Sequence, residues 1–138
     1  MKNEPSGAFE FDTSLTSDRI LIHRLYGQWN IQMSHKAIDL FLHIAKENFP
    51  NHKWGGVSDL RNWGLCSPDV VEHFNNSIPD FMDSRCRWHA IITNNSIKKM
   101  VAKQHIEASG NKLTMQYFND DAGAIHWLKT KLNEDKSI

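Results

Sequence analysis

Residues 113–132 read LTMQYFNDDAGAIHWLKTKL. Residues 113–118 have the make-up of a short apolar strand. Asp120 and Asp121 follow as an acidic turn, and Ala124, Ile125, Leu128 and Leu132 then fall on one helical face. Two negative charges at that point suit the positive end of a helix dipole. A strand followed by an amphipathic helix closes a chain in which the two alternate throughout, the pattern of a layered α/β domain.

Working back from this stretch, residues 88–93 (WHAIIT) and 54–60 (WGGVSDL) read as two more strands. Gly55 and Gly56 weaken the second of these and point to another backbone, or a ligand, coming close. Between these strands Ser67-Pro68-Asp69 starts a helix: Ser67 as cap, Pro68 at the first helical position, Asp69 complementing the dipole. Val70, Val71, Phe74, Ile78, Phe81 and Met82 give it an apolar face, and Pro79 predicts a kink or break near residues 75–79. A third helix is expected from Asn94-Asn95-Ser96, with Ile97, Met100, Val101, Gln104 and Ala108 inward and a stop at Gly110-Asn111.

Nearer the N-terminus, Phe9, Phe11, Thr13 and Leu15 alternate with polar residues, Thr16-Ser17-Asp18 is a turn, and residues 20–26 form a second strand. The short connection predicts an antiparallel hairpin. Asn30 caps a helix whose inward positions are Met33, Ala37, Leu40, Phe41, Ile44 and Ala45, and Phe49-Pro50-Asn51 stops it. The expected order is ββαβαβαβα: an α/β domain with a mixed, mostly parallel five-stranded sheet covered by helices. It spans residues 8–133, between a loose N-terminus (1–7) and a C-terminal tail (134–138).

Composition narrows the function classes. The 138 residues are 40% hydrophobic, enough for one real core. Sixteen basic and 16 acidic residues balance, without the basic excess of a nucleic-acid binder. Cys66 and Cys86 form no CxxC and no disulfide framework, which fits reduced thiols and a cytoplasmic setting. The N-terminus lacks the apolar segment of a signal peptide, and no apolar run approaches the ~20 residues of a membrane span.

Residues 56–60, GVSDL, nearly match the nucleophile elbow G-x-S-x-G, but the second Gly is missing and the next helix starts well downstream, so Ser58 reads as a strand serine. The eight histidines show no recognised ligand spacing, and no Gly-rich phosphate loop is present; no metal or cofactor is expected. Were the chain an enzyme, Asp59 or His89 would be its base. Asp59, Arg61 and Trp63 leave the third strand together, where ligands bind in open α/β sheets. With Trp54 and Trp88 they could line a site, or Asp59 and Arg61 could form a local salt bridge with Trp63 as its lid. Lys98, Lys99 and Lys103 on the third helix, against Asp69, Glu72, Asp80 and Asp83 on the second, could orient a partner or a second copy of the chain.

The element order, with GGVSDLRNW at the third strand and YFNDDAGAIHWL at the end, resembles the STAS-like fold of sulfate-transporter domains and bacterial anti-sigma-factor antagonists. The stretches Asp59-Leu60-Arg61-Asn62-Trp63 and Ala124-Ile125-His126-Trp127-Leu128 resemble those of small stand-alone bacterial members. In the antagonists a serine in an Asp-Ser-Ser-Gly-like motif at the start of the second helix is phosphorylated. Here that region reads Gly64-Leu65-Cys66-Ser67-Pro68-Asp69, without the Asp-Ser pair or the following Gly, and leaves Ser67 as the one candidate. The resemblance implies a non-enzymatic regulatory or protein-interaction module with a protein partner or homo-oligomer. The alternative is a carrier or sensor of a small apolar or lipid-like ligand, with Arg61 holding an acidic head group and Trp54, Trp63 and Trp88 the tail.

Overall fold

The computed structural model describes residues 7–64, 66–94, 103, 107 and 113–135. Five strands form one sheet in sequence order: β1 (Ala8–Asp12), β2 (Ile20–Gly27), β3 (Trp54–Trp63), β4 (Cys86–Ile92) and β5 (Thr114–Phe118). β1 and β2 are antiparallel, and β2–β3, β3–β4 and β4–β5 are parallel. The helices are α1 (Ile31–Asn48), α2 (Pro68–Asn76), α3 (Ile78–Asp83) and α4 (Asp121–Glu134), with a short 3-10 turn at Thr16–Asp18. The expected α/β class and the mixed, mostly parallel five-stranded sheet are both present. The helix expected over residues 96–109, with Ile97, Met100, Val101, Gln104 and Ala108 inward and its stop at Gly110-Asn111, lies outside the described residues except Lys103 and Glu107, both helical.

Strand periodicity sorts the side chains onto two faces. Leu21, Leu25, Trp54 and Ile91 point toward α1, α2 and α3 and join Ala37, Ile38, Phe41, Val70, Ile78 and Phe81 in the larger core. Ile20, Ile22, Val57, Ala90 and Ile92 point the other way and pack against Ala124, Leu128 and Leu132 of α4. Each buried Val, Leu or Ile side chain among them contributes roughly 1.5–3 kcal/mol.

Several sequence expectations are corrected. The first strand ends at Asp12, because the Asp12 carboxylate accepts from Ser14 N (2.9 Å) and turns the chain into the 3-10 segment. On α1, Asn30 caps as expected, its side chain accepting from Met33 N at 2.9 Å, but Leu40 faces solvent while Ser34 and Ile38 are buried. The face that meets the sheet is centred on Ala37, Phe41 and Ala45, and Leu40 lies to its side. The kink or break expected near 75–79 is present as a break at Ser77 between two helices. Pro79 then sits in the first turn of α3, where its missing N–H costs nothing. Ser67 precedes α2, but its hydroxyl donates to the Asp69 carboxylate and makes no cap to the backbone.

Side chains from both helix layers come close at Gly55 and Gly56, with the Trp88 carbonyl beside Gly55. A Cβ on Gly55 would lie 2.8 Å from Leu128 Cδ2, and one on Gly56 would lie 3.2 Å from Phe41 Cζ. β3 also runs three residues further than expected, so Arg61, Asn62 and Trp63 belong to the strand rather than to a loop beyond it.

Candidate functional site

The charged residues of the central strands converge where β2 and β3 end and α4 begins. Arg24 and Asp59 are register partners across the β2–β3 pair, on the face shared with α4. The Arg24 guanidinium donates to Asp59 at 2.8 Å and to Asp121, the first residue of α4, at 2.9 and 3.3 Å. The register then slips by one residue between Arg24 and Tyr26, a bulge on β3. Around it Asp59 Oδ1 accepts from the backbone N of Arg61 at 3.1 Å, an Asx-type turn, and the Arg61 side chain folds back onto Asp59 in a bidentate pair (both 3.0 Å). Arg61 also reaches Asp121 at 2.6 Å. Asp120 holds the end of α4 in place by accepting from Gly123 N at 2.9 Å.

Asp59 is 4% exposed at the centre of this quartet. Desolvation pushes its carboxyl up, but the hydrogen bonds from Arg61 and Arg24 outweigh it and hold the group below the usual carboxylate range. Hydrogen bonding to Asp121 and Asp59 raises Arg24, and hydrogen bonding to Asp59 raises Arg61. On β1, Asp12 lies 3.9 Å from Arg24, and Glu10 accepts from the Tyr26 hydroxyl at 2.5 Å. The strip therefore holds the carboxylates of Glu10, Asp12, Asp59, Asp120 and Asp121 against the guanidiniums of Arg24 and Arg61, an acidic excess among the described residues.

Of the residues proposed from sequence, the structure brings Asp59 and Arg61 together and separates the rest. Trp63 is buried on the opposite face, stacked on Phe74 (ring centroids 5.4 Å, 16°). Trp54 lies at the far end of β3, five residues and so roughly 16 Å from Asp59. It is stacked on Phe49 (5.5 Å, 23°), with Nε1 donating to Ser84 O at 2.9 Å. Trp88 is half-buried on the α4 face. Ser67 is exposed, and a phosphoryl group there would meet the Asp69 carboxylate. Arg24 and Asp121 were missed. The one signal for Arg24 was a charge inside the apolar strand ILIHRLYG, whereas Asp121 read as a dipole partner alone.

Other chemistry-bearing groups lie elsewhere. Ser58 and His89 form a hydrogen-bonded pair (2.8 Å) beneath α1–α3. His35 and His73 bring their rings to 3.9 Å where α1 meets α2, and Ser34 Oγ lies 2.6 Å from His73 Nδ1. A surface hollow of ≈480 Å³ is lined by Leu42, Phe49, Pro50 and Ser84, with Lys46, Asp80, Asp83 and Arg85 also on its walls. No cluster of three or more metal-ligating side chains occurs among the described residues, and no helix among them is long and apolar enough to cross a membrane.

An uncharacterised protein of the DUF3478 family from Shewanella loihica PV-4, solved with a SpoIIAA-like fold, is similar to this chain with a TM-score of 0.61. The match covers 91% of this chain and 96% of that one at 14% sequence identity. The chain thus has the SpoIIAA-like, STAS-like fold that its sequence resembles. No family model matches it, and no curated protein does.

Proposed function

We propose that this SpoIIAA-like domain is a non-enzymatic docking module whose recognition surface is the acidic strip at the ends of β2 and β3 and the start of α4. The observation that carries this reading is the Arg24–Asp59–Arg61–Asp121 quartet. It satisfies the buried Asp59 charge internally and fixes the strip without leaving that carboxylate available as a base. The outward groups that remain, Glu10, Asp12, Tyr26 and Asp120, favour a partner carrying a basic segment.

Binding of a fluorescent Lys/Arg-rich peptide and of an acidic control, followed by anisotropy at low and high salt, tests the reading. The expected result is binding of the basic peptide that weakens with salt and falls at least about tenfold in Glu10→Lys/Asp12→Lys, with the fold intact by circular dichroism. Equal binding of both peptides, or no loss in the variant, would remove it.

A second reading, a carrier of a small apolar ligand, draws support from the ≈480 Å³ hollow, which falls within the size range of ligand pockets. Trp54 sits directly behind it through Phe49 and Ser84. Titration of tryptophan fluorescence with fatty acids should then shift the Trp54 emission; a response unchanged between wild type and Trp54→Phe rules this hollow out as the site.

A further inference from the structure

His23, Ser58 and His89 form a polar row across the sheet face that α1, α2 and α3 cover. His23 and Ser58 are register partners on β2 and β3, and Ser58 Oγ lies 2.8 Å from His89 Nε2 on β4. A cavity of ≈30 Å³ adjoins the row, walled mainly by apolar side chains such as Leu25, Phe41, Phe74 and Ile78. His23 is 1% exposed, and its Nε2 has no hydrogen-bond partner among the described residues. A buried ring nitrogen left unmet costs about 1–3 kcal/mol, and His23 lines the cavity.

Size and chemistry restrict what fits. A water requires about 10–15 Å³ of such space and two to four polar partners. The cavity therefore has room for no more than about two or three such molecules, and its few polar groups suit one. His23, Ser58 and Ser77 line the cavity; His23 Nε2 is unmet among the described residues, and the Ser77 hydroxyl, which donates to Phe74 O at 2.7 Å, keeps its lone pairs as acceptors. Among the described residues no Lys, Arg, Asp or Glu lines the cavity, and His23 stays neutral, its pKa lowered to about 3 by burial and by the neighbouring His89. Neither an anion nor a cation finds compensation there. A purely apolar occupant would leave Nε2 unmet.

We propose that this cavity is an internal hydrogen-bonding site for one neutral, water-sized molecule, an ordered water that bridges His23 Nε2 to the Ser58–His89 pair. The water ties the polar row of the sheet to the α2–α3 joint at Ser77, so that the break in the helix layer is anchored to the centre of β3. This site stands apart from the acidic strip, on the opposite face of the sheet.

A high-resolution crystal structure of the full chain, before and after xenon pressurisation, tests it. The expected result is one solvent peak at ~2.7–3.2 Å from both His23 Nε2 and Ser58 Oγ, with xenon excluded. Xenon in the cavity, or density that places no solvent within reach of Nε2, overturns the proposal. In solution, the His23 ring protons should show a nuclear Overhauser effect to water with the sign of a long-lived contact; no such effect, or a short-lived sign, overturns it equally.

Discussion

Arg24 and Asp59 are register partners on adjacent parallel strands, and their side chains meet at 2.8 Å with Arg61 closing on the same carboxylate. Asn in place of Asp59 keeps the shape and removes the charge, leaving both guanidiniums to Asp121. Because Arg24 and Arg61 are partly exposed, the full penalty of a broken buried pair is discounted, and Asp59→Asn should lose about 1–3 kcal/mol in urea unfolding. Asp12→Asn, at the half-exposed margin 3.9 Å from Arg24, should stay within about 0.5 kcal/mol. Equal effects of the two substitutions would mean that the quartet is not coupled. The lowered Asp59 pKa sets the sign with pH: its contribution is present above the unfolded value of ~3.9 and is lost as acid protonates the folded carboxyl.

At milder acidity the histidines govern stability. Burial, then His89, lowers the His23 pKa to about 3, so the folded state favours the neutral ring. Its contribution is complete above the unfolded value of ~6.5 and drains away as pH falls from there toward 3. His73 is lowered in the same direction by desolvation and by His35, against Asp39 and Asp80, and adds to the slope. Unfolding free energy should therefore fall from about pH 6.5 downward, by up to ~1.4 kcal/mol per pH unit for each proton taken up. In His23→Phe, the slope measured by urea unfolding across this range should be shallower by about one proton. An unchanged slope would show that His23 is protonated in the native state.

The fold was legible because its determinants are local. Alternation in β1, the cap at Asn30, the stop at Pro50 and the strand-to-helix turn at Asp120 are each written within a few residues. The end of β3 was not legible, since Arg61 is polar because it pairs with Asp59 and Asp121 and Asn62 because it is exposed, and polar residues read as loop. Asp59 and Arg61 were found because they are two residues apart; Arg24 and Asp121 lie 35 and 62 positions from Asp59, and their approach depends on strand register and on where α4 docks. Grouping Trp54 and Trp88 with them failed for the same reason, since alternation puts Trp54 on the other face from Asp59 and Trp88 at the far end of β4.

Gly55 allows Leu128 to sit directly on the sheet, 2.8 Å from where a Cβ would lie. Leu128 is fully buried among Ile20, Ile22, Val57 and Ala90, so it has little room to move aside. Gly55→Ala should cost about 1–3 kcal/mol by overpacking. The cost should shrink when Leu128→Ala is already present, giving a favourable coupling in a double-mutant cycle. Strict additivity would place the strain elsewhere.

Two buried indoles make opposite predictions. Trp54 Nε1 donates to Ser84 O at 2.9 Å, whereas Trp63 Nε1, equally buried, has no partner among the described residues. Both rings stack on a phenylalanine, Trp54 on Phe49 and Trp63 on Phe74, so Phe at either position retains much of the ring contact. Trp54→Phe strands the Ser84 carbonyl and loses a hydrogen bond, adding about 1–2 kcal/mol to the cost of the smaller ring. Trp63→Phe removes a donor that is already unmet, and the relief offsets part of the lost volume, leaving a change of about 1 kcal/mol or less. Urea unfolding of the two variants should rank Trp54→Phe as clearly the more destabilised. The reverse order would mean that the Trp63 indole N–H has found a partner and that the packing between β3 and α2 differs from the one described.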